Sequence, residues 1–253
     1  MDQNITQIIQ TQNGEPLQYF KRKGVDYLQS ANGVKFQINN GILSCIDNVS
    51  ITGNNKNYQI MYDRFAGFYD TATKFYAFMK NGNEKKRVMQ YLSLLDIKNG
   101  DRVIEISIGT GRNMKYLNPS ADFYGIDISI EMLKKCKKKM KRLKREITLI
   151  QAEAEFLPIK DESFDVVFSA GGFNFFNYPG KAVNEMLRIA KTGTKILITD
   201  ETEKLRSKFS KNEFYSYNQV KKPADYLPDY CQNVEYKEIC NGDLYVLTFN
   251  KPI

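Results

Sequence analysis

Histidine and tryptophan are absent from the 253 residues. Without histidine there is no Ser-His-Asp or Cys-His nucleophile pair and no His-ligated zinc. A general base must then be a carboxylate, Lys, Tyr, Cys or water. Cysteine is scarce: Cys45, Cys136, Cys231 and Cys240 stand far apart with no CxxC pair. That fits a reducing cytoplasm better than a disulfide framework, and no metal site is expected. No apolar run approaches the ~18 residues a membrane span needs. The start, MDQNITQIIQTQNGEP, lacks a basic stretch followed by an apolar one, so no signal peptide is expected. What is present is globular: 42% hydrophobic and 26% charged residues, in a length that suits one to two domains.

The net charge of +8 is local. Residues 134–145, KKCKKKMKRLKR, hold nine Lys/Arg and no acid, so the remainder of the chain carries a net −1. A general nucleic-acid binder spreads its cations over a surface; here one element has them, and no specific nucleic acid is expected as a partner. The basic run is a candidate for weak contact with an anionic membrane.

Residues 1–55 read as short β-prone runs (LQYF, VDYLQS, VKFQI, ILSCI) separated by Lys23-Gly24, Asn32-Gly33 and Asn39-Asn40-Gly41, a hairpin signature in a unit too small to hold much core alone. Residues 57–80 are dense in aromatics and read as a helical segment, either packed on the main domain or closing over a site as a lid. From 83 onward helical and strand patterns alternate. Val88, Tyr91, Leu92 and Leu95 share one helical face; 102–107, 123–127, 147–151, 164–170 and 194–200 read as strands. Leu133, Cys136, Met140 and Leu143 form the apolar stripe of a helix that Ser129 caps. Alternation of this kind implies βαβ units and a mostly parallel sheet, closed by a terminal hairpin around Asn241-Gly242-Asp243.

Chemistry concentrates at strand ends. Val103-Ile104-Glu105-Ile106-Ser107-Ile108-Gly109-Thr110-Gly111 is a buried strand entering a tight Gly-x-Gly turn ahead of a helix, where backbone can approach a ligand closely. The dinucleotide fingerprint wants a third Gly where Met114 stands. Asp127 ends the next strand, placed to accept from two ribose hydroxyls. Ala152-Glu153-Ala154-Glu155-Phe156-Leu157-Pro158 follows the third strand, and Ser163-Phe164-Asp165 enters the fourth.

In this order and spacing the three motifs resemble class I S-adenosylmethionine-dependent methyltransferases, most of all the branch with quinone-ring C-methyltransferases and bacterial phosphatidylethanolamine N-methyltransferases. The resemblance covers about 57–250. It implies a Rossmann-like α/β fold with a seven-stranded sheet ending in an antiparallel hairpin, and S-adenosylmethionine as cofactor. By the same resemblance Glu105 helps hold the methionine ammonium, Ser107, Gly109 and Gly111 make the loop beneath the methionine part, and Asp127 binds the ribose with Ile128 beside it. Glu153 accepts from the adenine amino group, Ala154 N–H meets the ring, Ser169 sits under the methionine moiety, and Tyr69 reaches the site from the segment 62–70. Ser107-Ile108 replace the commoner Gly-Cys and make the loop start bulkier. Gly33–Ile42 resembles the end of a zinc-ribbon-like module that precedes some such enzymes, without its cysteine pairs.

The implied division is a β-rich module over 1–55 and a methyltransferase domain over 56–253, with a lid at 57–80 and an insertion at 203–230. Substrate-side candidates are Tyr62, Asn174, Glu201, Tyr215 and Tyr217, with Phe173, Phe175 and Phe176 either pocket or core. An aromatic pocket favours a small apolar, aromatic or cationic methyl acceptor. Two other functions stay open: a non-catalytic cofactor-binding protein on this fold, and a peripheral-membrane lipid methyltransferase.

Overall fold

The run Val103-Ile104-Glu105-Ile106 is apolar at almost every position, as a strand covered on both faces must be. In the computed structural model, which describes residues 5–22, 24–46, 51, 55–64, 84–208 and 222–253, it is β5 (Arg102–Ile106), an inner strand of an eleven-stranded sheet. To one side lie β6 (Asp122–Asp127) and β7 (Thr148–Gln151), to the other β8 (Val166–Ala170) and β9 (Lys195–Glu201), all parallel to it. The hairpin β10 (Gln232–Ile239) and β11 (Leu244–Asn250) closes that side, β11 pairing antiparallel with β9. The strand order therefore reverses between β5 and β8, the point at which doubly wound sheets open a crevice at the carboxyl ends of their strands.

The N-terminal strands do not stand apart. β1 (Gln18–Arg22), β2 (Val25–Gln29), β3 (Lys35–Asn39) and β4 (Ile42–Ser44) form an antiparallel meander whose last strand pairs parallel with β7. The expected seven strands, β5–β11, are thus extended by four. The reason is burial: a unit this small holds little core alone, and Leu28, Ile38 and Leu43, with Ile5 and Ile8 of the short α1 (Ile5–Ile8) and the adjacent Ile9, join the main core. Ser44 Oγ donates to Gln151 Oε1 at 2.8 Å and Cys45 N–H to the Gln151 carbonyl at 2.9 Å, sealing the junction.

Helices cover both faces. α2 (55–64) lies over the carboxyl end of the sheet; α3 (Glu84–Leu92) buries Val88, Tyr91 and Leu92 as its spacing predicts. α4 (Ile130–Leu143) is capped by Ser129, whose Oγ accepts from Met132 N–H, and ends at Lys144 in the left-handed region. Leu133, Cys136 and Met140 are buried, but Leu143, at the helix's last position, is 41% exposed. α5 (Pro179–Ile189) and the short α6 (Glu203–Arg206) complete the α-helices among the described residues. The helix expected after the Gly-x-Gly turn is only a 3₁₀ turn, Asn113–Tyr116. Leu117 is extended and Asn118 precedes Pro119, which disfavours helix there, and the chain must reach β6 by residue 122. Among the described residues no helix is long and apolar enough to cross a membrane.

Candidate functional site

An open cavity sits at the carboxyl ends of β5, β6, β7 and β8. Its wall begins with Glu105, which is 1% exposed. One oxygen, Oε1, accepts from Asn113 Nδ2 at 2.5 Å, and Asn113 Oδ1 in turn accepts from the Tyr91 hydroxyl at 2.7 Å. The other, Oε2, has no hydrogen-bond partner among the described residues. Burial pushes this carboxyl up to about 8, against the pull of Asn113 and of the nearby Arg112 charge.

The chain leaves β5 through Ser107 at φ 60°, a left-handed conformation that costs a residue with a side chain roughly 1–2 kcal/mol. Two glycines elsewhere make the bulky loop start fit. A Cβ at residue 172 would collide with the Ser107 side chain, and one at residue 125 with Ile108, so the side chains that Ser107 and Ile108 add fill space those glycines leave. Gly109 then turns with φ 56° and nothing within 4 Å of where its Cβ would be, while its N–H donates to Asp127 Oδ2 at 2.8 Å.

Asp127, 8% exposed, does more than end β6. Its Oδ1 accepts from Ser129 N–H at 2.9 Å, so one carboxylate clamps the glycine loop to the start of α4. Burial raises it to about 6, held down by those N–H donors. Asp127 also lines the cavity.

A roof over this floor comes from α2, whose residues from 57 onward begin the ring-rich segment read as helical from the sequence. Asn55, Gln59 and Asp63, spaced i, i+4, i+8, share one helical face. Asn55 Nδ2 donates to Glu153 Oε2 at 2.8 Å and to Glu155 Oε2 at 3.2 Å. Gln59 Nε2 donates to the Ile128 carbonyl at 3.4 Å, and Asp63 accepts from Ser129 Oγ and from Glu131 N–H. The next face carries Tyr58 and Tyr62, whose rings meet Phe175 edge-on at 4.9 and 6.5 Å. Asn55 and Glu155 were missed as site residues. Glu155 is buried and also accepts from Asn177 and Tyr178 N–H at 2.8 and 3.2 Å, joining roof and α5 loop. The polar i, i+4, i+8 stripe beside two tyrosines is the signal that could have found Asn55.

The structure brings Tyr62, Glu105, Ser107, Gly109, Asp127, Ile128, Glu153 and Ala154 to one cavity wall. Burial raises the Glu153 carboxyl, with Asn55 opposing the rise. Gly111 lies beneath the loop against Cys136, and Ser169 is fully buried behind Ala170 and Gly171, which take the wall position expected of it. Asn174 is not on the wall: its N–H donates to Asp200 Oδ2, its Nδ2 to the Glu201 carbonyl, and its Oδ1 accepts from Tyr245, tying the β8 loop to β9 and β11. Glu201 likewise lies off the wall, its carboxyl raised by burial and tempered by Arg206 and Arg87. Of the three phenylalanines, Phe173 is core, while Phe175 and Phe176 line the cavity. Tyr69, Tyr215 and Tyr217, with residues 65–80 of the expected lid and 209–221 of the expected insertion, lie outside the described residues.

Comparison with known proteins places this geometry. A family model described as a methyltransferase domain matches residues 104–198. A demethylmenaquinone methyltransferase of Renibacterium salmoninarum is 30% identical over 141 residues, 55% of this chain and 56% of that one. The chain spans about half the length of the curated relatives it matches. Among solved structures, a phosphoethanolamine N-methyltransferase of Haemonchus contortus, in complex with S-adenosyl-L-methionine, superposes with a TM-score of 0.61 at 16% identity, covering 81% of this chain and 61% of that one. The cyclase SpnF superposes with a TM-score of 0.62 at 12% identity, covering 79% and 96%. At these identities the two structures show a shared fold alone. The stretch 104–198 is thus similar to a methyltransferase domain, and the cavity lies at the carboxyl ends of the strands within it.

Proposed function

We propose that the protein is an S-adenosylmethionine-dependent methyltransferase acting on a small acceptor. The observation that carries this reading is Glu105 Oε2: a buried carboxylate oxygen without a described partner, in the wall of the cavity that Asp127 and the open side of Gly109 also line. A buried acceptor of this kind suits a cationic donor such as the ammonium of a methionine moiety. The match of 104–198 to a methyltransferase domain and the relatives named as demethylmenaquinone and ubiquinone/menaquinone biosynthesis methyltransferases support the same reading.

S-adenosylmethionine, when bound, supplies an electrophilic methyl group on sulfur. The chain's own contribution is placement and exclusion of water. Glu105 would orient the amino-acid end, Asp127 the ribose, and Glu153 with Ala154 the adenine. Tyr58, Tyr62, Phe175 and Phe176 would hold a flat apolar or aromatic acceptor and shield the transfer from solvent. In a chain without histidine, an acceptor that must lose a proton would give it to a carboxylate, a tyrosine or water.

Asp127→Ala should weaken cofactor binding by roughly 1.5–3 kcal/mol, the range for hydrogen bonds to a charged group. It should also lower the melting temperature, because the Gly109 and Ser129 N–H groups lose their acceptor. Titration calorimetry and thermal melting measure both; an unchanged dissociation constant would reduce Asp127 to a structural acid. Catalysis is tested with methyl-labelled cofactor and a panel of phenols, quinols and amines. Label in a phenol or quinol supports the aromatic acceptor, and label in none of the panel counts against methyl transfer to a small acceptor.

A further inference from the structure

The basic run in α4 is only partly absorbed by the fold. Lys134 pairs with Glu131, Lys137 reaches the Asn40 carbonyl, Lys139 donates to Thr110, and Arg145 holds the Met114 and Leu117 carbonyls. Lys138, Lys141, Arg142 and Lys144 are exposed, and their side chains have no ion pair or hydrogen bond with a described residue. Lys138, Lys141 and Arg142 stand at i, i+3 and i+4, so three like charges crowd one helical face at a cost of some tenths of a kcal/mol per pair. The nearest acid beyond the run is Glu146. A face that repels itself is relieved by an anionic partner.

The strand directions place this cluster. α4 leads into the start of β7, so its C-terminal turn lies at the end of the sheet opposite the cavity. β2 and β4 run parallel to β7, which brings the β1–β2 turn, with exposed Arg22 and 46%-exposed Val25, to that same end. Lys137 on the Asn40 carbonyl ties the helix to the neighbouring β3–β4 turn. Leu143 and Val25 are thus bare aliphatic side chains set among cations.

We propose that this end of the molecule docks on an anionic lipid bilayer, leaving the methyl-transfer cavity facing away from it. Lysine-rich charge with scattered exposed apolar side chains, Leu143 and Val25 with Phe20 two residues before Arg22, suits a diffuse lipid surface; nucleic-acid phosphates and bases favour the planar fork of arginine. The apolar stripe of α4 is spent in the core, so docking is electrostatic and superficial, without insertion of the helix. The acceptor then reaches the cavity from solution, which sets this surface apart from that of an enzyme drawing a lipid substrate out of the bilayer beneath it.

The test is co-sedimentation of the whole chain with vesicles of phosphatidylcholine alone or of phosphatidylcholine mixed with phosphatidylglycerol. Binding to the anionic vesicles only, falling as salt rises, is the expected result. Each cation near an anionic leaflet strengthens partitioning roughly fivefold, so Lys138→Gln/Lys141→Gln/Arg142→Gln should lower it about a hundredfold. The three side chains are exposed, and an unchanged melting curve and S-adenosylhomocysteine titration would certify the variant's fold. Equal binding to both vesicle types, no binding to either, or full binding by the triple variant overturns the proposal. So does a single-stranded oligonucleotide that binds more tightly than the vesicles and is lost with the same three residues.

Discussion

Glu105→Gln should weaken S-adenosylmethionine binding by roughly ten- to a hundredfold, the loss of a hydrogen bond to a charged partner. At the same time it should make the ligand-free protein more stable at about pH 9, where the native carboxyl, at about 8, has ionised. Both follow from one buried group serving two states. In the folded, ligand-free protein burial raises Glu105 from 4.5 to about 8. Between those values the folded form holds a proton that the unfolded chain has released, so stability falls as pH rises through the window. A glutamine cannot ionise and removes that fall. The cofactor's ammonium has the opposite preference: it stabilises the ionised carboxylate, so binding tightens as pH rises towards 8 and expels a proton. Below that pH the native protein should lose up to about tenfold in affinity per unit, and the variant should not. Asp127 and Asp200 titrate in overlapping windows, at about 6 and about 7. The comparison of native protein with Glu105→Gln isolates Glu105 from them. Calorimetry in two buffers of different ionisation enthalpy counts the protons released; equal counts for both proteins would remove Glu105 from the ammonium site.

Gly111→Ala should destabilise the fold by about 3 kcal/mol, close to 10 °C in melting temperature for a chain of this size. Gly111 has φ 69°, where an alanine is strained, and its Cβ would stand 2.6 Å from Cys136 Sγ and 3.2 Å from Met140 Cε. Both neighbours belong to the core under α4 and have little room to move. Adding Cys136→Ala removes the sulfur and should recover part of the loss. Gly109→Ala makes the contrast: with open space around its Cβ it should cost only the strain of its φ, about 1 kcal/mol, yet obstruct the cavity and impair cofactor binding. If the two variants melt alike, the loop does not rest on α4 as described.

Much of this arrangement is legible in the chain because it is local. The apolar run of β5, the Gly-x-Gly turn, Asp127 at the end of β6 and Ser129 as a cap are all set by residues within a turn or two of one another. What is not legible depends on distant partners. The pairing of β4 with β7 joins Ser44 to Gln151, and nothing near Ser44 announces it. Ser107 and Ile108 look like departures that loosen the loop until Gly172 and Gly125 are seen to leave them room. Asn55 looks like a linker residue in an asparagine-rich stretch; only the two carboxylates at Glu153 and Glu155 give its amide a purpose. Asn174, expected on the substrate side because it follows β8, instead braces its loop through Asp200 and Tyr245, and Glu201, the last residue of β9, lies outside the cavity lining.

Titration of the whole chain with S-adenosylmethionine, and with S-adenosylhomocysteine, tests the central claim most directly. The cavity walled by Glu105, Gly109, Asp127 and Glu153 predicts saturable, one-to-one binding in the micromolar range, tightening between about pH 6 and about pH 8 as the Glu105 carboxyl ionises. No heat and no thermal shift at millimolar ligand would contradict it.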